Sequence, residues 1–569
     1  MDPASLGLGT ASITFNIFHS CVVGFKLLSA ARNIGRDAEL LVCRLRLEEY
    51  RLVLWAEHSG LTDDNLDRRL DEPVVRTALA ELSELLGNIE MLKKRYRLDL
   101  RDEDVDACPV TPAKPANAAL RFLNNDFINR EQERILRRGK AELLQNRFHK
   151  RLWWAAVDRN GFRELIDDIG FLIQRLFDFL EVTAQEKISQ SLHVLNISLL
   201  SIIEKVDDIK LATVGTRTAV APEDSLETVA ALRSLQILVS ETEPTMTAPS
   251  TGVTAHKRLL QSTSAIAGSS SATGFYEGVP VYIERKKYNP AEMREESGVK
   301  IAKRVGDLSM FLHAPKAPSF QALHCVGYFR DSLASEFVFI FDRPVNCQER
   351  TEPVSLLSLL KSRVLPSLTD RLRLAASLAT TVLHLHASGW LHKGLRSQNV
   401  LFFKESGNAL RALHEPYLAG YEFARQDAPD ELSEKPSQTP AQDIYRHPHA
   451  QGLVSEAFVK SFDLYGLGIM LLEIAYWRPW ETLLRDKCKV RLQDVSATKM
   501  REIQQALLDE GTHNTESFPQ NLRFRMGDEY AKATLQCLGD FFDQESMARQ
   551  DYVTTFYDLV VRRLRSCKV

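Results

Sequence analysis

At 569 residues the chain is longer than one hydrophobic core organises, so several domains' worth of sequence is expected. Its composition, 44% hydrophobic and 26% charged with a formal net charge of −3, gives no electrostatic reason for nucleic acid to be a partner. The eight cysteines are scattered without a C-x-x-C pair, which reads as reduced intracellular thiols and offers no metal site.

The chain opens on MDPASLGLGTASITFNIFHSCVVGFKLL, in which Asp, Glu, Lys and Arg are absent between Asp2 and Lys26. About 20 helical residues at a rise of about 1.5 Å cover the roughly 30 Å hydrocarbon core of a bilayer. Asp2 stands where a secretory signal carries positive charge, so the stretch is not read as a signal peptide. Thr10, Ser12, Thr14, Asn16, His19 and Ser20 dilute it too far for a permanent span. Two readings stay open: a buried helix of a bundle, or a conditional membrane inserter. The side chains that would enter lipid are Leu6, Leu8, Ile13, Phe15, Ile17, Phe18, Val22, Val23 and Phe25.

Helices are expected next. Leu40, Cys43, Leu47, Tyr50 and Leu54 recur at heptad spacing, and Gly60 ends that run. A second helix is expected from Glu81 to Arg97. A long basic one should carry Arg130, Arg134, Arg137, Arg138, Lys140, Arg147, Lys150 and Arg151. Phe162, Leu165, Ile166, Ile169, Ile173, Leu176 and Leu180 give a broad apolar face. Ile188, Leu192, Leu195, Leu199, Ile202, Val206 and Ile209 give a seam suited to packing on other helices. With no strand pattern between them, residues 1–213 read as an all-α bundle.

This segment resembles the HeLo (prion-inhibition and propagation) domain of filamentous fungi. The likeness is carried by Leu6-Gly-Leu-Gly-Thr-Ala-Ser, by the helix end at Arg51–Leu61, and by Arg151-Leu-Trp-Trp-Ala-Ala-Val-Asp-Arg-Asn-Gly-Phe-Arg-Glu-Leu-Ile166. The resemblance implies a cell-death effector whose N-terminal segment leaves the bundle for the plasma membrane. It also implies self-association of the bundle. In layout the bundle is similar to that of the necroptosis pseudokinase, the mixed lineage kinase domain-like protein. The basic helices suit anionic lipid, at about 1 kcal/mol per residue near the surface; a solvated helix face accounts for them equally well.

From Ala212 to Thr273 the sequence turns polar and small, and residues 214–273 read as a flexible tether. One short helix interrupts it, with Asp224 and Glu227 spaced as a capping box and Leu226, Val229, Leu232 and Leu235 on its face. No Gln/Asn-rich or repeated stretch supports prion templating.

Residues 274–569 read as α+β. Val279, Val281 and Ile283 alternate as a strand, Ile301, Val305, Leu308 and Leu312 share a helical face, and strands are expected over Leu323–Phe329 and Glu336–Phe341. Leu374, Leu378, Val382 and Leu385 then mark a helix stopped by Gly389. After it, His392-Lys-Gly394-Leu-Arg-Ser-Gln-Asn399 resembles the protein-kinase catalytic loop H-R-D-L-x-x-x-N. Gly394 stands in the place of the catalytic aspartate, and a positioned general base is worth roughly 10²- to 10⁴-fold. Gly420-Tyr421-Glu422 stands where the magnesium-binding D-F-G is found, again without its aspartate. Gly274 and Gly278 are a meagre substitute for a phosphate-covering loop. Glu284 takes the place of the strand lysine of V-A-I-K, with Lys286 two residues on able to replace it, and Glu295 or Glu296 as its helix partner. Tyr445-Arg-His-Pro-His449 stands where A-P-E would be, and Asp463, five before Gly468, fits the family residue that braces the catalytic-loop backbone.

The resemblance therefore implies a bilobal kinase-like fold that keeps its scaffold and has lost its chemistry. The expected function is an intracellular switch in fungal programmed cell death and heterokaryon incompatibility, with a pseudokinase controlling a pore-forming HeLo bundle. No cofactor is required; ATP held by Lys286 and Asn399 is the one candidate. Anionic membrane lipid, further copies of the bundle and an upstream signalling protein are the expected partners. The expected location is the cytoplasm, with conditional association at the plasma membrane. The alternatives are an atypical kinase using Lys286, Asn399 and Glu422, and a scaffold that never touches lipid.

Overall fold

The computed structural model describes residues 3–29, 36–102 apart from 64, 135, 152–155, 159–203, 206, 209, 224–240, 253–266, 271–344 apart from 295, 352–403 apart from 363–364, 413, 415–427, 439–451, 457–510, 517–542 and 552–567. They fall into two compact units, Met1–Glu223 and Asp224–Val569.

In the first unit, α1 (Pro3–Ser29), α2 (Arg36–His58), α3 (Glu72–Gly87), α4 (Ile89–Lys94), α5 (Arg159–Phe177) and α6 (Val182–Ile202) form a helical bundle. The periodic residues of the sequence are its core: Leu40, Cys43, Leu47 and Leu54 of α2 are buried, as are Phe162, Leu165, Ile169 and Ile173 of α5. Polar ties fix how α2 and α5 pair. Trp55 donates its indole N–H to the Leu176 carbonyl at 2.8 Å, and Arg44 bonds Asp167 at 3.0 Å. The helix expected from Glu81 begins earlier, at Glu72, where the Asp71 side chain caps it and Pro73 suits the first turn. It breaks at Asn88, which then caps α4.

The all-α expectation needs one correction. Asp99–Asp102 (β1) and Leu152–Ala155 (β2) pair antiparallel, with Leu100 opposite Trp154. Such four-residue strands are too short to show a period-2 pattern, and their pairing joins segments far apart in sequence. Of the expected long basic helix, all named residues lie outside the described ones, as do Glu295 and the side chains of Leu6 and Leu8.

The second unit opens with α7 (Asp224–Ser240), which packs on α8 (Glu296–His313) and α9 (Leu368–Ala387). Thr228 accepts from the Ala317 amide at 2.9 Å, and Lys303 donates to the Val239 carbonyl at 3.0 Å. A five-stranded antiparallel sheet follows, in the order β3 (Leu260–Ala265), β4 (Ala272–Tyr276), β5 (Val279–Lys287), β7 (Glu336–Asp342), β6 (Cys325–Asp331). Here the tether reading is corrected: Leu260–Ala265 is an edge strand, mostly exposed, so its sequence LQSTSA carries no apolar alternation. One sheet face holds the cluster Ala272, Tyr276, Val281, Ile283, Val338 and Ile340. Pleating sends Tyr282, Glu284 and Lys286 to the other face.

The rest of the unit is mainly helical and built around α10 (Lys460–Tyr476), buried from Ser461 to Tyr476. A helix apolar all round belongs at the centre of its domain. Glycines let neighbours close on it: a Cβ at Gly466 would lie 2.9 Å from the Leu395 carbonyl oxygen, and one at Gly468 2.9 Å from the Leu538 side chain. The latter ends α11 (Asp528–Leu538), whose Tyr530 hydroxyl donates to the Leu471 carbonyl at 2.8 Å.

Candidate functional site

Several of the residues singled out in the second half of the chain, Glu284, Lys286, Asn399, Gly420 and Glu422, line one cleft of about 1180 Å³ together with Arg396. Its floor is the loop after α9. Gly389, at φ 76°, ends that helix as only a residue without a Cβ does cheaply. Trp390 and Leu391 then pair with Gln426 and Arg425.

Asp463, buried on α10, fixes the next turn. One carboxylate oxygen accepts from the His392 amide at 2.7 Å and from His386 Nε2 at 3.2 Å; the other accepts from the Lys393 amide at 2.8 Å. His386 continues to the Tyr552 hydroxyl through Nδ1 at 2.7 Å. His392 itself is buried, and burial lowers its pKa to about 4, so it is neutral near pH 7.

Asn399 does not face open cleft alone: its Nδ2 donates to the Gly394 carbonyl at 2.8 Å, closing the loop on itself. The two glycines differ in what surrounds them. A Cβ at Gly394 would meet its nearest neighbours at 3.4 Å, an ordinary contact. Gly420 adopts φ 79°, and a Cβ there would lie 2.2 Å from Asn399 Nδ2. A side chain at position 420, an aspartate included, would strain this backbone conformation and require Asn399 to move.

Glu284 does something the sequence does not disclose. Its carboxylate reaches from β5 to the Gly420 amide at 2.7 Å and the Tyr421 amide at 3.2 Å, one oxygen to each. Burial, partly offset by these bonds, raises its pKa to about 7. Lys286, two residues on, donates to the Glu422 carbonyl at 2.7 Å and lies 5.4 Å from the Phe423 ring centroid. The Glu422 carboxylate pairs with Arg396 at 3.5 Å, and burial raises its pKa. Arg285 pairs with Glu336 at 3.2 Å. The charges of the cleft are therefore largely answered by the chain itself.

Gly274 and Gly278 have backbone roles in the β4–β5 hairpin. Gly274 lies within β4, and Gly278, at φ 81°, makes the tight turn with Glu277 that joins β4 to β5. Ala265 and Ser271, on either side of residues 267–270, are what edge the cleft. Tyr445 is also more than a loop marker: its hydroxyl donates to Glu473 at 2.6 Å and contacts Ser397 at 3.0 Å, tying the segment to α10 and to the loop. A polar residue inside an otherwise apolar helix, Glu473 in LLEIAY, was the available signal. Among the described residues there is no group of three or more His, Cys, Asp or Glu that could hold a metal ion.

In the first unit, the uncharged opening segment is α1, and it is used in the bundle. Phe15, Phe18, Val22 and Phe25 are buried, Ile17 and Val23 are half-buried, and Ile13 is 50% exposed. The partner is α3: Cys21 donates to the Leu79 carbonyl at 3.3 Å, Thr14 to Glu72 at 3.1 Å, and Gly24 lies against Leu86. Among the described residues no helix is long and apolar enough to cross a membrane.

Residues 5–211 match the family model HeLo, described as prion-inhibition and propagation. The helical first unit therefore carries a HeLo domain. Residues 342–567, from the end of β7 onward, match a domain of unknown function (DUF7580). No curated protein matches the chain.

Proposed function

We propose that the chain is a signalling switch of programmed cell death, in which a non-catalytic, kinase-like second unit controls a HeLo bundle that engages anionic membrane. The observation that carries this reading is the pairing of a HeLo match over residues 5–211 with a second unit whose cleft holds its own side chains. The order of its sheet, the helix α8 between β5 and β6, and Asp463 under the loop 392–394 support the kinase-like part. The non-catalytic part rests on Gly394, which lacks a base, and on Gly420, which lacks the magnesium-binding carboxylate and holds a left-handed backbone that strains any side chain.

The membrane part has a definite physical requirement. Phe15, Phe18, Val22 and Phe25, among the side chains of α1 that would enter lipid, are buried in the bundle, so engagement means exchanging one apolar environment for the other. That exchange needs a release step, and the second unit is assigned the control of it: it restrains the bundle until an upstream signal acts. An atypical kinase built on Lys286, Asn399 and Glu422 has less support, because Lys286 is engaged by the Glu422 carbonyl and Glu422 by Arg396.

Two assays, on the full chain and on the chain ended at Glu223, separate the readings. No phosphoryl transfer from labelled ATP, and dye release from anionic liposomes that rises when the chain is ended at Glu223, is the expected pair of results. Transfer that disappears in Glu422→Ala would favour the kinase reading. Dye release by neither chain, with no phosphate transfer, would leave a scaffold.

A further inference from the structure

α7 is the first element of the second unit, on the chain that comes from the HeLo domain. It is sunk in that unit almost all round. Leu226, Val229, Leu232 and Ile237 are buried, and among its described side chains Glu227, Ala231 and Leu238 are the exposed ones. Apolar burial has no direction, so by itself it does not fix the register of such a helix. Polar contacts do.

Gln236 lies on the inner face of α7 and is buried. It accepts from Arg233 at 2.5 Å and donates to the Gln426 side-chain oxygen at 3.3 Å. Gln426, also buried, donates in turn to Asp307 of α8 at 3.4 Å. Lys303, one turn earlier on α8, bonds Asp307 at 2.8 Å and the Val239 carbonyl of α7 at 3.0 Å, which closes a ring. The ring reaches the floor of the cleft. Gln426 pairs through its backbone with Trp390, and Trp390 stacks on Phe311 of α8 with ring centroids 4.6 Å apart. Gly389 lies directly against α7: a Cβ there would stand 2.7 Å from Arg233 Nη1.

We infer that α7 is the coupling element of the second unit: through Gln236 and Gln426 it is tied to the cleft-floor segment 417–427, so that the order of the helix and of that segment rise and fall together. The energetic reason is burial. Removing the Gln426 amide takes a partner from Gln236 on α7 and from Asp307 on α8 at once, and a lost partner costs most where water cannot replace it. Coupling of this kind is reciprocal, so disturbing either end must be felt at the other. Its use by the switch rests on the reading proposed above: a signal at the cleft floor would reach the chain leading to the HeLo domain through α7.

The test is amide hydrogen exchange on the full chain, read in peptides covering 226–239 and 417–427, with α11 as the reference within the same unit. Gln236→Leu should speed exchange in 417–427 at least tenfold, and Gln426→Leu should do the same in 226–239, with α11 unchanged. Lys303→Met, which alters neither glutamine, should loosen both peptides and decides the matter if a glutamine variant fails to fold. Loosening confined to the substituted element, or equal loosening of α11, would overturn the coupling. Dye release by the full-length Gln236→Leu chain should exceed that of wild type. Reciprocal loosening without added leakage would overturn the use of α7 by the switch, while the switch itself stands or falls on the chain ended at Glu223.

Discussion

Replacing Asp463 by Asn changes one atom of a buried side chain, and the structure gives the cost. The carboxylate accepts three hydrogen bonds, from the His392 and Lys393 amides and from His386. An asparagine keeps one oxygen, so whichever way its amide turns, an NH₂ faces at least one backbone N–H. A lost hydrogen bond to a charged acceptor is worth about 1.5–3 kcal/mol, and a buried unpaired donor adds about 1–3 kcal/mol. Some of this is relieved by local movement, leaving about 3 kcal/mol as the expected destabilisation of the second unit. At about 2 °C per kcal/mol for a large domain, its melting transition should fall by roughly 6 °C. The assay is thermal unfolding of the full chain, with hydrogen exchange assigning each transition to its unit. Protection in α1–α6 should be unchanged, while the loop 390–399 exchanges faster. An unaltered second-unit transition in a correctly folded Asp463→Asn protein would refute the bracing role.

Other substitutions separate the two glycines of the cleft. Gly420→Asp should destabilise the second unit by at least about 2 kcal/mol, from the left-handed backbone and the clash with Asn399, whereas Gly394→Asp should melt within about 1 kcal/mol of wild type. Gly24→Ala places a Cβ 2.6 Å from Leu86 Cβ and should loosen α1 from α3; thermal unfolding should show a less stable first unit, and liposome leakage should rise. Burial also raises Glu473 to a pKa of about 7. Its folded value lies above its unfolded one, so its contribution is complete below about pH 4.5 and is lost as pH rises to about 7. Glu473→Gln should flatten that part of the second unit's stability profile; a slope identical to wild type would contradict the assignment.

Much of this was legible in the sequence where a pattern is local. The heptad of α2 and the four-and-three spacing of α6 announce buried helical faces, because one turn brings those residues together. Asp463 was legible through its spacing from Gly468 in an apolar helix. What stayed hidden depends on partners remote in sequence. Glu284 reads as a wrong residue in a lysine's place, and only the fold shows the Gly420 and Tyr421 amides it serves. The edge strand Leu260–Ala265 was lost to the tether because an exposed strand needs no apolar alternation. The clash that keeps Gly420 a glycine is likewise a matter of where Asn399 sits in space.

The most direct measurement is dye release from anionic liposomes by three proteins: the full chain, the chain ended at Glu223, and that shorter chain carrying Ile17→Asp. The boundary is the one the structure gives between its compact units. The shorter chain should leak more than the full chain, because the restraining unit is gone. The Ile17→Asp form should not leak, since a charge near the bilayer centre costs roughly 2.5–3.5 kcal/mol; Ile17 is only half-buried in the bundle, so its helical content should stay near wild type. A folded Ile17→Asp protein that leaks as well as its parent, or a shorter chain no more active than the full one, would contradict a switch that works by releasing α1.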